Sequence, residues 1–269
     1  MNYGLRMLGA VTLAAVLGGC TTLPGVADSS TAGGAVRAMS DTPPANAAQA
    51  RARVSVELGM AYLEVGRFDV ALDEARSAMA HDSNYAPAYH LLALVHMFIE
   101  ENAAARENFL RALRLAPGDP EINNSYGWFQ CVHGESEEGL RRLTAAARNP
   151  YYRFPGRAYT NAGLCHLRTQ TDDAAAEQFR RAVSLDPANA QALYHLAAIA
   201  YRSGDYVVAR QWLVDLHQRR EPTAESVWLG LRTERRLGNR AAEASYAEQL
   251  RGRFADSPEY QSMLQGNYE

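Results

Sequence analysis

The sequence contains no lysine: all 27 of its basic residues are arginine. That excludes the phosphate-binding lysine of a Gly-x-x-x-x-Gly-Lys loop. Two origins fit the bias, bidentate anion recognition and the codon usage of a GC-rich genome, and the arginines are scattered rather than clustered. Cysteine is scarce, with Cys20, Cys131 and Cys165 the only three, an odd number that leaves at least one unpaired or modified. Neither Cys-x-x-Cys nor His-x-x-x-His occurs, so a metal site is not expected. Gly-x-Ser-x-Gly is also absent, and no nucleophile, base or metal set is clustered. The chain therefore reads as a non-enzyme with no cofactor and no small-molecule substrate. The formal net charge of −3 gives no electrostatic footprint for nucleic acid. Long apolar runs are missing too. The one notable run, Met7–Leu17, is too short to span a bilayer.

That run has another use. Met1–Arg6 carries one positive charge, Met7–Leu17 is apolar, and Leu17-Gly18-Gly19-Cys20 follows. The order is that of a secretory leader, and the last four residues resemble a lipobox. This implies a signal peptide over residues 1–19 and lipidation of Cys20, whose acyl chains would hold the protein to a lipid membrane. The next residue is Thr21 rather than Asp, which by resemblance to the usual sorting rule predicts the periplasmic face of the outer membrane. Residues 20–48 are rich in Thr, Ser, Gly, Ala and Pro and poor in large apolar side chains, so a disordered tether is expected there. If flexible, it spans on the order of 30 Å.

From residue 49 to 269 the chain repeats. Gly59, Ala93, Gly127, Gly163 and Ala197 are spaced by 34, 34, 36 and 34 residues. Ala71, Ala105, Gly139, Ala175 and Ala209 keep the same steps, as do Ala75, Phe109, Leu143, Phe179 and Leu213. Small residues at fixed intervals let paired helices approach closely, and bulky ones fill the space between pairs. This pattern resembles the tetratricopeptide repeat (TPR). It implies an all-α, right-handed superhelix of about six helix pairs, the last degenerate because Gly230 is out of register and Glu243 replaces the small residue. The 36-residue step places two extra residues near Asn149–Gly156, where two prolines and a glycine predict a rigid turn.

Cys131 and Cys165 fall 34 residues apart on first helices of adjacent repeats, which pack side by side. In an oxidising compartment they can form a disulfide, and the alternative is two buried free thiols. His96 and His166 sit where the first repeat has Tyr62, as packing residues with a polar edge. His81, His133 and His217 lie near expected helix ends. Glu135-x-Glu137-Glu138 reads as a solvated helix start.

The TPR resemblance also implies a concave face lined by the first helices. Register places Val56, Met60 and Leu63 there, then His90, Leu94, Met97 and Phe98, then Asn124, Trp128 and Val132. Later units give Thr160, Leu164, Leu167, Arg168, Tyr194, Tyr201 and Arg202. Val56, Met60, Leu63, Leu94, Phe98 and Trp128 make an apolar groove suited to a helix or strand of a partner, with Phe98 and Trp128 as its anchors.

Three strings go beyond the generic repeat: Asn123–Phe129 with Cys131, Asn161–Cys165, and Phe254–Gln261. With the lipobox and the repeat number, the chain resembles the PilF/PilW family of type IV pilus lipoproteins. The resemblance implies a pilotin, which brings the secretin subunit to the outer membrane and supports its multimerisation. A general periplasmic TPR scaffold for envelope assembly is the competing class. Glu138-Gly139 departs from the usual Glu-Ala, a minor local change on this reading.

Overall fold

A computed structural model describes residues 35–268. The leader, Cys20 and the first part of the expected tether lie outside these residues. Within them every regular element is helical, and the repeat arithmetic maps onto hairpins. The first three pairs are α1 (Ala47–Glu64) with α2 (Phe68–His81), α3 (Ala86–Phe98) with α4 (Asn102–Leu115), and α5 (Pro120–Val132) with α6 (Ser136–Arg148). The next three are α7 (Pro155–Arg168) with α8 (Asp172–Leu185), α9 (Ala190–Arg202) with α10 (Tyr206–Arg219), and α11 (Ala224–Arg236) with α12 (Arg240–Arg253). A further helix, α13 (Pro258–Leu264), follows.

The small residues do what their spacing predicts. Ala71, Ala93, Ala105, Ala175, Ala197 and Ala209 are fully buried. A Cβ on Gly163 would stand 2.5 Å from the Phe179 ring, so the glycine is what lets that ring lie flat on α7. Between hairpins the bulky positions interlock: Phe109, Tyr126 and Phe129 meet with ring centroids 5.2–6.0 Å apart. Burying one such ring contributes about 2–3 kcal/mol. Successive first helices touch along the array, α1 with α3, α3 with α5, α5 with α7, α7 with α9 and α9 with α11.

The two extra residues fall where the spacing placed them. Residues 149–154 link α6 to α7, against four-residue links at 82–85, 116–119 and 186–189. Pro155 and Gly156 belong to the first turn of α7 rather than to the turn. Tyr152 is buried among Ala146, Ala147 and Ala158, whereas Tyr151 and Phe154 stay exposed. The last repeat is capped. Its outer face is not left to water, because Tyr260, Met263 and Tyr268 pack on Val227, Trp228, Leu231 and Leu250.

The expected tether is corrected over its second half. Residues 36–41 form a strap on the inter-repeat turns. Ala38 is buried, and Met39–Asp41 makes one 3₁₀ turn. The Met39 N–H donates to Asp119 Oδ2 at 2.7 Å, and Asn149 Nδ2 donates to the Val36 carbonyl at 2.9 Å. Asp41 pairs with Arg153 at 3.1 Å, and the Arg37 guanidinium lies over the Tyr151 ring. Two of these ties use strap backbone groups, which every residue carries and composition does not reveal.

Candidate functional site: a trough along the first helices

Met60 and Leu63 on α1 and Leu94, Met97 and Phe98 on α3 sit at three- and four-residue spacings, which puts each set on one helix face. With Trp128 on α5 and Phe68 at the start of α2 they line a cavity of about 520 Å³. Phe98 is 57% exposed and stacks on Phe68 with centroids 6.1 Å apart. Trp128 rests on a buried cluster of Cys131, Leu143, Ala162 and Cys165. The two cysteines are disulfide-bonded in the structure, with Cα atoms 5.5 Å apart. The bridge thus lies directly beneath the tryptophan. Five of the six groove residues read from register come together here. Val56 does not, and is corrected. It is 5% exposed and packs with Ala52, Ala78, Tyr85 and Ala88, one helical turn before Met60, where α3 already covers α1.

One end of the trough is polar. His90, Glu121, Asn124, Arg157 and Asn161 line it. Arg157 pairs with Glu121 at 2.7 Å, and Asn161 Nδ2 donates to Asn124 Oδ1 at 3.0 Å. Burial holds the Glu121 carboxyl above its usual range, against the opposing pull of Arg157. Burial, with a smaller push from Arg157, takes the His90 imidazole down to about 4, so it is neutral at pH 7. Its Nε2 is sealed from water without a hydrogen-bond partner.

Other register positions hold the array together instead. Thr160 is buried and bonds the Gly156 carbonyl. Arg168 donates to the Cys131 and Val132 carbonyls, and Arg202 pairs with Asp172 at 2.8 Å. Leu164 and Leu167 pack on the Ala175–Phe179 cluster. His96 and His166 reach across their turns to Glu101 and Thr171. Glu135 is no free solvated acid: it accepts from both terminal nitrogens of Arg106, at 3.1 and 2.5 Å. A second cavity of about 600 Å³, lined by Arg153, Phe154, Arg157, Asn161 and Arg220 among others, escaped register reasoning because it is built from turns as well as first helices.

Residues 56–120, 132–190 and 173–216 match the family model described as tetratricopeptide repeat. The type IV pilus assembly protein PilF of Pseudomonas aeruginosa is 30% identical over 206 residues, which are 77% of this chain and 82% of PilF. The chain belongs to the PilF/PilW family of type IV pilus TPR proteins. A structure from the functional characterisation of Pseudomonas aeruginosa PilF superposes with a TM-score of 0.74, at 28% identity, over 82% of this chain and all of that one. A crystal structure of PilW, a widely conserved type IV pilus biogenesis factor, gives 0.72 at 27% identity, over 79% of this chain and 98% of that one. The APC/C hetero-tetramer Cut9–Hcn1 shares the fold alone, with a TM-score of 0.65 at 14% identity over 80% of this chain and 42% of that one. In this PilF/PilW-type chain two of the three distinctive strings contribute to the trough. Asn123–Phe129 supplies Asn124 and Trp128 from α5, and Asn161–Cys165 supplies Asn161 and half of the bridge from α7.

Proposed function

We propose that this protein is an outer-membrane lipoprotein that binds the type IV pilus secretin subunit in the trough and supports its delivery and multimerisation. Cys20 would carry the lipid, and residues 21–34 would give the array reach from the membrane. The supporting observation is that exposed Phe98 and partly buried Trp128 line one cavity of about 520 Å³ in a PilF/PilW-type array. A half-exposed aromatic in an open apolar cavity marks an interaction site. Nothing in the trough is arranged to attack a bond, so the protein is read as a binder without catalysis.

The test is a pull-down from membranes with the lipidated protein. The secretin is the expected main partner. Trp128→Ala or Phe98→Ala should lower its recovery at least about tenfold, as loss of a hot spot does, with the helical circular dichroism unchanged. Undiminished recovery in both variants rules the trough out. Deleting the gene should abolish surface pili and secretin multimers. An envelope defect with pili intact would support the general periplasmic scaffold instead. Cys20→Ser should release the protein from the membrane.

A further inference from the structure

The two cavities adjoin, since Arg157 and Asn161 line both. At this junction the Asn124–Asn161 hydrogen bond is the only one either side chain makes among the described residues. Asn124 keeps its amide hydrogens and Asn161 its carbonyl. Flipping both carboxamides would exchange the roles and still leave one donor beside one acceptor. That pair complements a peptide group, which offers one C=O and one N–H. Inside a helix those groups are spent on the helix's own ladder. In an extended segment they are free for a partner.

Beyond the junction the charge reverses. The first cavity carries Glu64, Glu121 and Arg157, and the second is lined by Arg153, Arg157, Arg220 and Asp186; Arg153 is paired with Asp41 and Arg157 with Glu121, which leaves Arg220 as the window's uncompensated cation among the described residues. Arg220 spends Nε on the Ala188 carbonyl, at 2.9 Å, and its terminal nitrogens make no contact among the described residues. Phe154, 46% exposed, lies between the guanidiniums of Arg153 and Arg157. A positive window in a chain of net charge −3 is complementary to carboxylates.

We propose that the trough takes one extended segment: apolar side chains fill the first cavity, the main chain bonds the Asn124–Asn161 pair, and adjacent Asp or Glu side chains meet Arg220. This rests on the trough being the client site. It does not require that the client be a secretin.

A random 16-residue peptide library displayed on phage, selected on the full mature lipoprotein in detergent and counter-selected on Trp128→Ala, tests it. The recovered peptides should carry an apolar run next to Asp or Glu. Replacing those acids by their amides, or Arg220 by Gln, should weaken binding about tenfold, an effect that high salt mimics. N-methylation at one central peptide residue should abolish binding, a readout that leaves the protein untouched. Asn161→Ala should reduce affinity with the fold intact by circular dichroism. Peptides with apolar residues at helical spacing that gain helix on binding would overturn the extended mode. Salt-independent binding without acidic enrichment would overturn the arginine contact. Recovery of no Trp128-dependent peptide would overturn the proposal as a whole. If such peptides are recovered while the secretin pull-down fails, the client identity is wrong and the trough chemistry stands.

Discussion

A Cβ on Gly139 would lie 2.5 Å from Cys131 Sγ and 2.6 Å from the Gly127 carbonyl oxygen. Both obstacles are fixed, one by the bridge and the other by the backbone of α5. The Glu138-Gly139 departure is therefore not minor: the glycine leaves room for the bridged sulfur. Gly139→Ala should cost about 1–3 kcal/mol, as overpacking does, seen as a lower urea midpoint at unchanged m value. Gly252→Ala on α12 is the control. It meets nothing within 4 Å and should gain about 0.5–1 kcal/mol from helix propensity. Equal midpoints for Gly139→Ala and wild type would mean that α5 and α6 are not in backbone contact. His90 gives the second residue-scale prediction. Its pKa in the fold is about 4, against an ordinary value near 6.5. As pH falls, the unfolded chain takes up the proton first. The stability from a neutral His90 is complete above about pH 6.5 and is lost progressively down to about pH 4. At pH 5 the loss is about 2 kcal/mol. His166, His195 and His217, also lowered by burial, act in the same direction. Asp119 and Glu121, raised by burial, oppose it in the carboxylate range. Comparing unfolding of wild type and His90→Gln at pH 7 and pH 5 isolates the ring. The variant should lose about 2 kcal/mol less over that interval, and equal losses would place His90 in contact with water.

Each hairpin turns through one left-handed residue: Gly66, Glu100, Gly134, Gln170, Gly204 and Gly238. Four are glycine, which takes positive φ without a Cβ clash, and Glu100 and Gln170 bear it at 63° and 55°. Glu100→Gly and Gln170→Gly should each stabilise by up to about 1 kcal/mol, the relieved strain partly offset by the unfolded-state entropy of glycine. Thermal midpoints should rise by up to about 4 °C per substitution, and a fall would show that these side chains hold their turns in another way. The hairpins themselves were legible because close helix packing demands small residues at fixed intervals, and a 34-residue step makes that demand visible. The 36-residue step located the long link for the same reason. Val56 was misplaced because register gives direction from the helix axis and not which neighbour covers it. The arginine window was missed because Arg153 and Arg220 lie on different links, which the first-helix register does not sample. The strap was missed because it is short, its apolar anchors are only Ala38 and Met39, and two of its ties are backbone groups that leave no mark in composition.

A repeat array is nearly one-dimensional, each unit touching only its neighbours. Two features brace the middle of this one, a bridge between neighbouring units and a strap that reaches past them. The Cys131–Cys165 bridge joins α5 to α7, closing a loop whose chain-entropy contribution is about 3–4 kcal/mol. The strap joins the N-terminus to the turn before α5 and the link before α7, through Asp119, Asn149 and Arg153. Met39 belongs to two packed clusters at once, one with Tyr85 and Ala88 and one with Ile122 and Tyr126. Removing this half-buried side chain by Met39→Ala should cost about 1–2 kcal/mol, below the range for a fully buried methionine. The location of the effect discriminates more sharply than its size. In a nearest-neighbour array, damage ahead of α1 loosens α1 and α2 and decays along the chain. Here, deleting residues 36–41 should also raise amide exchange at the start of α5 and in residues 149–154, far along the chain from the cut, because the Asp119, Asn149 and Arg153 side chains that hold the strap sit there. Native-state hydrogen exchange on the truncated and intact proteins reads this directly. Loss of protection confined to α1 and α2 would show that the strap only lies on the array without bracing it.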